Sequence, residues 1–143
     1  MENTEWIAMM EKMQLIRHFC GHYVRRHIKG AISSAQELDL LSRAELSTEK
    51  LTPQLVCQEM GISKTMGSRL IKQLVEKELL AKESCLYDGR SYYLVITPKG
   101  SEEVKRTYTY YLEPVYQLRR TLGEEKFQLL TKLMEEANRR DFT

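Results

Sequence analysis

One short stretch holds most of the chemistry this chain can offer: Ser63, Lys64, Thr65, Gly67, Ser68, Arg69 and, a turn later, Lys72. Serine and threonine hydroxyls bond either base edges or phosphate oxygens, and a glycine lets a helix come close to whatever it faces. Arg69 and Lys72 are spaced to meet backbone phosphates. Asp88-Gly89-Arg90 adds a turn whose arginine can enter a narrow minor groove, where negative potential concentrates. The Asp88 carboxylate can brace that guanidinium, or the pair are simply turn residues. This is the chemistry of holding a polyanion. The sequence contains no nucleophile–base motif, phosphate-binding Walker loop or dinucleotide fingerprint, so neither an enzyme nor a cofactor is expected.

Reading a groove needs a rigid frame, and the sequence supplies one. Thr52 caps a helix with Pro53 at its first position, where the missing N–H is harmless. Leu55, Val56 and Met60 form its buried side, and Gly61 ends it in a turn that tolerates positive φ. Ser63 then caps a helix over 64–77 with Met66, Leu70, Ile71, Leu74 and Val75 inward. The polar residues named above face outward with Gln73. Leu79 to Lys82 and Ser91 to Ile96 read as two strands joined at Asp88-Gly89. A helix, a tight turn, a polar-fronted helix and a hairpin make a winged helix-turn-helix.

Helices flank this unit on both sides. The first starts near Asn3 or Thr4, runs to about Ile28 and is closed by Gly30. Its stripe of Trp6, Met9, Met13, Ile16, Cys20 and Tyr23 suits either the core or a second subunit. Ser34-Ala35-Gln36-Glu37 is a capping box opening a helix with Leu38, Leu41 and Ala44 on one face. Thr97-Pro98 opens a long fifth helix with a seam of Val104, Tyr108, Tyr111, Val115, Leu118 and Leu122, which Pro114 should kink or end. After Gly123 a last helix presents Phe127, Leu130, Met134 and Ala137.

Composition agrees. The chain has 143 residues, enough for one domain with a real core. A formal charge of +2 is too small to identify a partner, but its distribution is uneven. Residues 17–29 carry four basic side chains and no acid, and 61–100 carry seven against four. The three cysteines, Cys20, Cys57 and Cys85, are widely spaced and odd in number, which argues against a disulfide framework. No run of about 18 apolar residues occurs, and MENTEWIAMMEKM lacks the basic and apolar regions of a signal peptide. The expected address is cytoplasmic, with no membrane partner. His18 and His22 are four apart on one helix face, but no carboxylate or cysteine joins them at close spacing, so no metal site is assigned.

Three segments together resemble the multiple-antibiotic-resistance regulator (MarR) family. They are Leu51-Thr52…Gly61-Ile62-Ser63, Leu70-Ile71…Leu74…Lys77…Leu79-Leu80, and Asp88-Gly89-Arg90…Leu94-Val95-Ile96-Thr97-Pro98-Lys99-Gly100. The D-x-R wing followed by L-x-[LI]-T-x-x-G is the most specific part. The resemblance implies a mainly α fold, α+β by a strict count: a winged helix-turn-helix with long N- and C-terminal dimerisation helices. Residues 1–32 and 98–143 would dimerise, and 33–97 would read DNA. It implies a homodimer bound to double-stranded DNA at a pseudo-palindrome, acting as a ligand- or stress-responsive repressor. The DNA-contacting residues would be Ser63, Lys64, Thr65, Gly67, Ser68, Arg69, Lys72, Asp88 and Arg90.

Residues 83–87 lack the family's usual proline and added basic residues, and Ser91 stands where a second arginine often sits, so Arg90 should carry more of the wing's contact. Tyr92, Tyr108 and Tyr111 would line a pocket for an aromatic effector, or they fill the core and interface. Some members sense peroxide through a first-helix cysteine near tyrosines. Cys20 with Tyr23 is similar to that arrangement, although a thiol on an apolar stripe also serves as a small hydrophobe. Cys57 and Cys85 read as structural. The rival to DNA binding is a winged helix used as a protein-interaction module.

Overall fold

The computed structural model describes residues 2–24, 30–85 and 91–139. Among these the order is α1 (Glu2–Tyr23), α2 (Ala35–Leu46), α3 (Pro53–Met60), α4 (Lys64–Glu76), β1 (Leu80–Ser84), β2 (Tyr92–Ile96), α5 (Pro98–Leu122) and α6 (Glu124–Asn138). Two compact units form, Met1–Arg25 with Leu112–Thr143, and Arg26–Tyr111.

In the second unit the helix starts are set by side-chain caps. Ser34 Oγ accepts the Glu37 N–H at 3.1 Å while Glu37 Oε1 accepts the Ser34 N–H at 2.8 Å, completing the capping box. Thr52 Oγ1 accepts the Leu55 N–H and Ser63 Oγ accepts the Met66 N–H, each at 3.1 Å. Gly61, at φ 67°, turns the chain out of α3. Helix α4 closes differently. Leu79 N–H reaches Leu74 O and Glu78 N–H reaches Val75 O, a Schellman closure with Glu78 at φ 63° where glycine is the usual occupant.

The strands pair antiparallel from Leu80↔Ile96 to Ser84↔Tyr92, and Leu94 N–H donates to Leu51 O at 2.8 Å, giving the hairpin a third, single-residue neighbour. Leu38, Leu40 and Leu41 of α2 meet Val56, Leu70, Ile71, Leu74, Leu79, Leu80 and Leu94 in the core. Leu40 lies outside the expected α2 face; it is fully buried because α2 is covered on more than one side.

Gly100, in the first turn of α5, is buried. A Cβ there would lie 2.1 Å from Leu79 O and 2.7 Å from Ile96 Cγ1. Leu79 O already accepts the Thr97 N–H, so it cannot swing aside freely. Gly100→Ala is expected to destabilise by about 2–4 kcal/mol through overpacking against backbone, read as a lower denaturant midpoint with an unchanged slope.

In the first unit, α1 already includes Asn3 and Thr4, so neither is its cap. The described helix runs to Tyr23, with the Val24 N–H still bonded to the Cys20 carbonyl; the expected end near Ile28 falls in residues 25–29, outside the described set. Its stripe is not covered by this chain: Trp6, Met9, Met13 and Ile16 remain 60, 58, 47 and 56 % exposed, and Cys20 is exposed with them. Phe19 and Tyr23 stack with centroids 4.8 Å apart and join Leu118, Leu122, Leu130 and Leu133 around an apolar groove of about 400 Å³.

Helix α5 runs through Pro114 without ending. The Pro114 ring is buried, while Tyr110, whose carbonyl has no N–H to accept at 114, lies on the exposed side. The buried side of α5 differs from the expected seam. Leu118 is buried and Val104, Tyr111 and Leu122 half-buried as expected, but Glu103 and Thr107 are buried while Tyr108 and Val115 are exposed. No helix among the described residues is long and apolar enough to cross a membrane.

Candidate nucleic-acid interface

Helices α3 and α4 with the Gly61-Ile62-Ser63 turn form a helix-turn-helix. Gly67, Leu70, Ile71 and Leu74 of α4 are buried, which leaves Ser63, Lys64, Thr65, Ser68, Arg69, Lys72 and Gln73 exposed. One expected contact residue is corrected. Gly67 does not face outward; it is turned onto α3, so its missing side chain permits helix–helix rather than helix–DNA approach. The periodicity contained this answer, since position 67 lies three and four residues from 70 and 71 on the inward stripe.

The cations of this face stand apart from the acids. Among the described residues, Arg43, Lys50, Lys77, Lys99, Arg106, Arg119, Arg120 and Arg139 each pair with a carboxylate. Lys64, Arg69 and Lys72 pair with none of the described carboxylates, nor do Lys12, Arg17, Lys82, Lys105, Lys126 and Lys132; what sets the α4 cations apart is that they share one exposed helix face. Lys64 beside the hydroxyls of the helix start, where backbone N–H groups also point outward, with Arg69 and Lys72 further along the same exposed face, makes a surface suited to phosphate.

The hairpin contributes to the same surface. A cleft of about 780 Å³ lies between α3, α4 and β2, and Thr52, Gln54, Lys64, Ser68, Ser91 and Tyr92 are on its walls. Ser91, beside the hairpin tip, and Lys64, at the start of α4, thus share one opening. Lys82 Nζ sits 4.6 Å over the Tyr92 ring, holding a further cation beside it. Asp88 and Arg90 lie outside the described residues. Toward the hairpin tip, the Tyr93 hydroxyl is 3.8 Å from Cys85 Sγ; its pKa is raised, first by that hydrogen bond and then by the charge of the Cys85 thiolate.

Of the three tyrosines considered for an effector pocket, Tyr92 lines the cleft, while Tyr108 and Tyr111 do not. Tyr108 is exposed. Tyr111 packs on the core, where burial and the nearby Asp39 carboxylate raise its pKa.

A polar clamp that the sequence did not reveal holds the other end of α4. Lys77 Nζ binds both Glu37 oxygens at 2.9 and 3.0 Å and the Ile32 carbonyl at 3.0 Å. The same loop is gripped from α5. Glu103 Oε2 accepts the Ile32 N–H at 3.0 Å, the Ser33 N–H at 3.1 Å and the Ser33 hydroxyl at 2.6 Å, and Arg106 pairs with its other oxygen. Burial pushes the Glu103 carboxyl up, but the Ser33, Arg106 and Ile32 hydrogen bonds and the guanidinium charge outweigh it and leave the pKa below the usual range.

No family model and no curated protein sequence matches this chain. Solved structures do. Sco3205, a MarR-family transcriptional regulator of Streptomyces coelicolor solved in complex with DNA, superposes with a TM-score of 0.78 at 19% identity, over 94% of this chain and 86% of its own. A mutant of Escherichia coli MarR, complexed with operator DNA, gives 0.75 at 13% identity over 94% and 96%. BpsR of Bordetella bronchiseptica, whose DNA binding is regulated by 6-hydroxynicotinic acid, gives 0.73 at 16% identity over 96% of each chain. A two-stranded wing behind a helix-turn-helix, flanked by long terminal helices, is shared by this chain and those proteins: it has the fold of the MarR-family transcriptional regulators.

Proposed function

We propose that this protein is a transcriptional repressor that binds double-stranded DNA sequence-specifically as a homodimer. One observation carries the reading: the outward face of α4 holds Lys64, Arg69 and Lys72 exposed and without a described carboxylate partner, and its leading edge, Lys64 and Ser68, lines the opening shared with the hairpin. Residues 33–97 do the reading, and 1–32 with 98–143 dimerise. The exposed α1 stripe supports the dimer, since a contiguous apolar face on a lone chain marks an interaction site. Two recognition helices related by a two-fold axis suit half-sites about one helical turn apart. DNA-bound Sco3205 and MarR support the nucleic-acid partner. BpsR supports a small aromatic effector, for which Tyr92, on the cleft wall, is the candidate contact.

The test is titration against a duplex from the gene's own upstream region and a scrambled duplex, at several salt concentrations. Lys72→Ala is expected to weaken both alike and lower the salt slope by about one. Thr65→Ala or Ser68→Ala should cost about 1–3 kcal/mol on the specific duplex and less on the scrambled one. Arg90→Ala should weaken specific binding while the melting temperature stays put. Equal wild-type affinity for the two duplexes would remove sequence-specific reading and leave a docking module.

A further inference from the structure

We infer that Cys57 is the positioning residue that sets the recognition helix, acting through Gly67; the inference rests on the DNA-binding reading above. Three contacts converge on this one residue of α3. Its carbonyl accepts the Ile62 N–H, closing the turn. Its thiol points at the Ser63 carbonyl, Sγ to O 3.7 Å, at the cap of α4. And its sulfur fills the space over Gly67: a Cβ built on Gly67 would fall 2.2 Å from Cys57 Sγ, with Ile62 Cδ1 next at 3.8 Å.

The sulfur therefore stands where the helix partner's side chain would otherwise be. Helices pack at a spacing fixed by the side chains at their contact, and a glycine at the crossing gives the closest approach. With Cys57 and Gly67 together, α4 lies close to α3, and the Lys64–Ser68 edge is presented at one depth. A methyl group at 67 forces either the thiol out of its place, losing the Ser63 contact, or α4 away from α3. Helix propensity pushes the other way, because alanine outranks glycine inside a helix. The two effects have opposite signs, so a pair of substitutions separates them.

Gly67→Ala in the wild-type background is expected to lower the melting temperature by about 3–8 °C and to weaken binding to the upstream duplex about tenfold. The scrambled duplex, held by phosphate contacts, should change less. Cys57→Ala with Gly67→Ala moves one side chain's volume across the contact and removes the clash. It should restore specific affinity to within a few fold of wild type and raise the melting temperature above that of Cys57→Ala alone, reversing the sign of the position-67 effect. Amide hydrogen exchange over residues 64–70 should speed up in Gly67→Ala and recover in the double variant.

A Gly67→Ala protein that melts and binds as wild type would overturn the inference, since the thiol would simply have rotated aside. So would a double variant no better than Gly67→Ala. If wild type fails to distinguish the two duplexes, the DNA reading and the positioning role fall together; the melting cycle would still report whether the sulfur occupies the Gly67 contact.

Discussion

Met13→Glu combined with Ile16→Glu is expected to leave the protein monomeric at micromolar concentration and to cut affinity for a two-half-site duplex by more than about a hundredfold. Both side chains belong to the α1 stripe and are about half exposed in the single chain. Few contacts within one chain are lost by changing them. In a two-fold dimer each substitution appears twice, placing four carboxylates in an apolar interface. An uncompensated buried charge costs about 3–5 kcal/mol, so four exceed what an interface of ordinary affinity supplies. Loss of the dimer removes simultaneous engagement of two half-sites, which multiplies affinity without adding contacts. Sedimentation equilibrium checks the first half and duplex titration the second. A variant that still sediments as a dimer would show that the stripe is not the subunit interface.

Glu103→Ala should be the most damaging single change in the Arg26–Tyr111 unit outside its apolar core. Glu103 is only 3 % exposed, and its loss would strip the Ile32 N–H, the Ser33 N–H and the Ser33 hydroxyl of their acceptor. Unsatisfied buried donors cost about 1–3 kcal/mol each when water cannot replace the partner. A net loss of about 3 kcal/mol is expected, because Ile32 is exposed enough for water to help.

The pH dependence has a fixed sign. The folded-state pKa of Glu103 is lowered, so its ionisation stabilises the fold above the unfolded value of about 4.3, and that contribution is lost as pH falls from there through the lower folded value. Chemical denaturation of wild type and Glu103→Gln should therefore differ by a constant amount at neutral pH, and the gap should close below about pH 4.3. A gap that stays unchanged well below that pH would mean that the carboxylate charge does not matter.

The clamp also shows where sequence reading stops. Ser34 with Glu37, Thr52 with Pro53, and Ser63 were legible because a cap is a local event, settled within three residues. Gly61 and the strand pairing were legible for the same reason. Glu103 and Thr107 were not, because apolar periodicity counts only apolar residues. The buried stripe of α5 passes through Gly100, Glu103, Val104, Thr107, Tyr111 and Leu118, and half of it is polar or tiny. Choosing the apolar residues alone displaced the seam toward Tyr108 and Val115. Glu103 is buried because Ile32, Ser33 and Arg106 satisfy it, and two of those lie some seventy residues away. Gly67 was misplaced by the opposite error: a glycine among hydroxyls looks like part of the polar face, when its spacing belongs to Leu70 and Ile71. The α1 stripe was legible as apolar, yet no pattern in one chain tells a core from a partner.

The hairpin's anchorage has an evolutionary consequence. Its buried anchorage among the described residues is at one end, through Leu80, Leu94 and the bridge to Leu51; further out it is held by the exposed Lys50–Glu83 pair, and from Ala81 to Ser84 the first strand is open to solvent. Mutations along that outer edge escape the penalty that punishes change at Leu80 or Leu94. On the DNA-binding reading proposed above, substitutions at the rim alter what the hairpin touches while the buried end keeps its place.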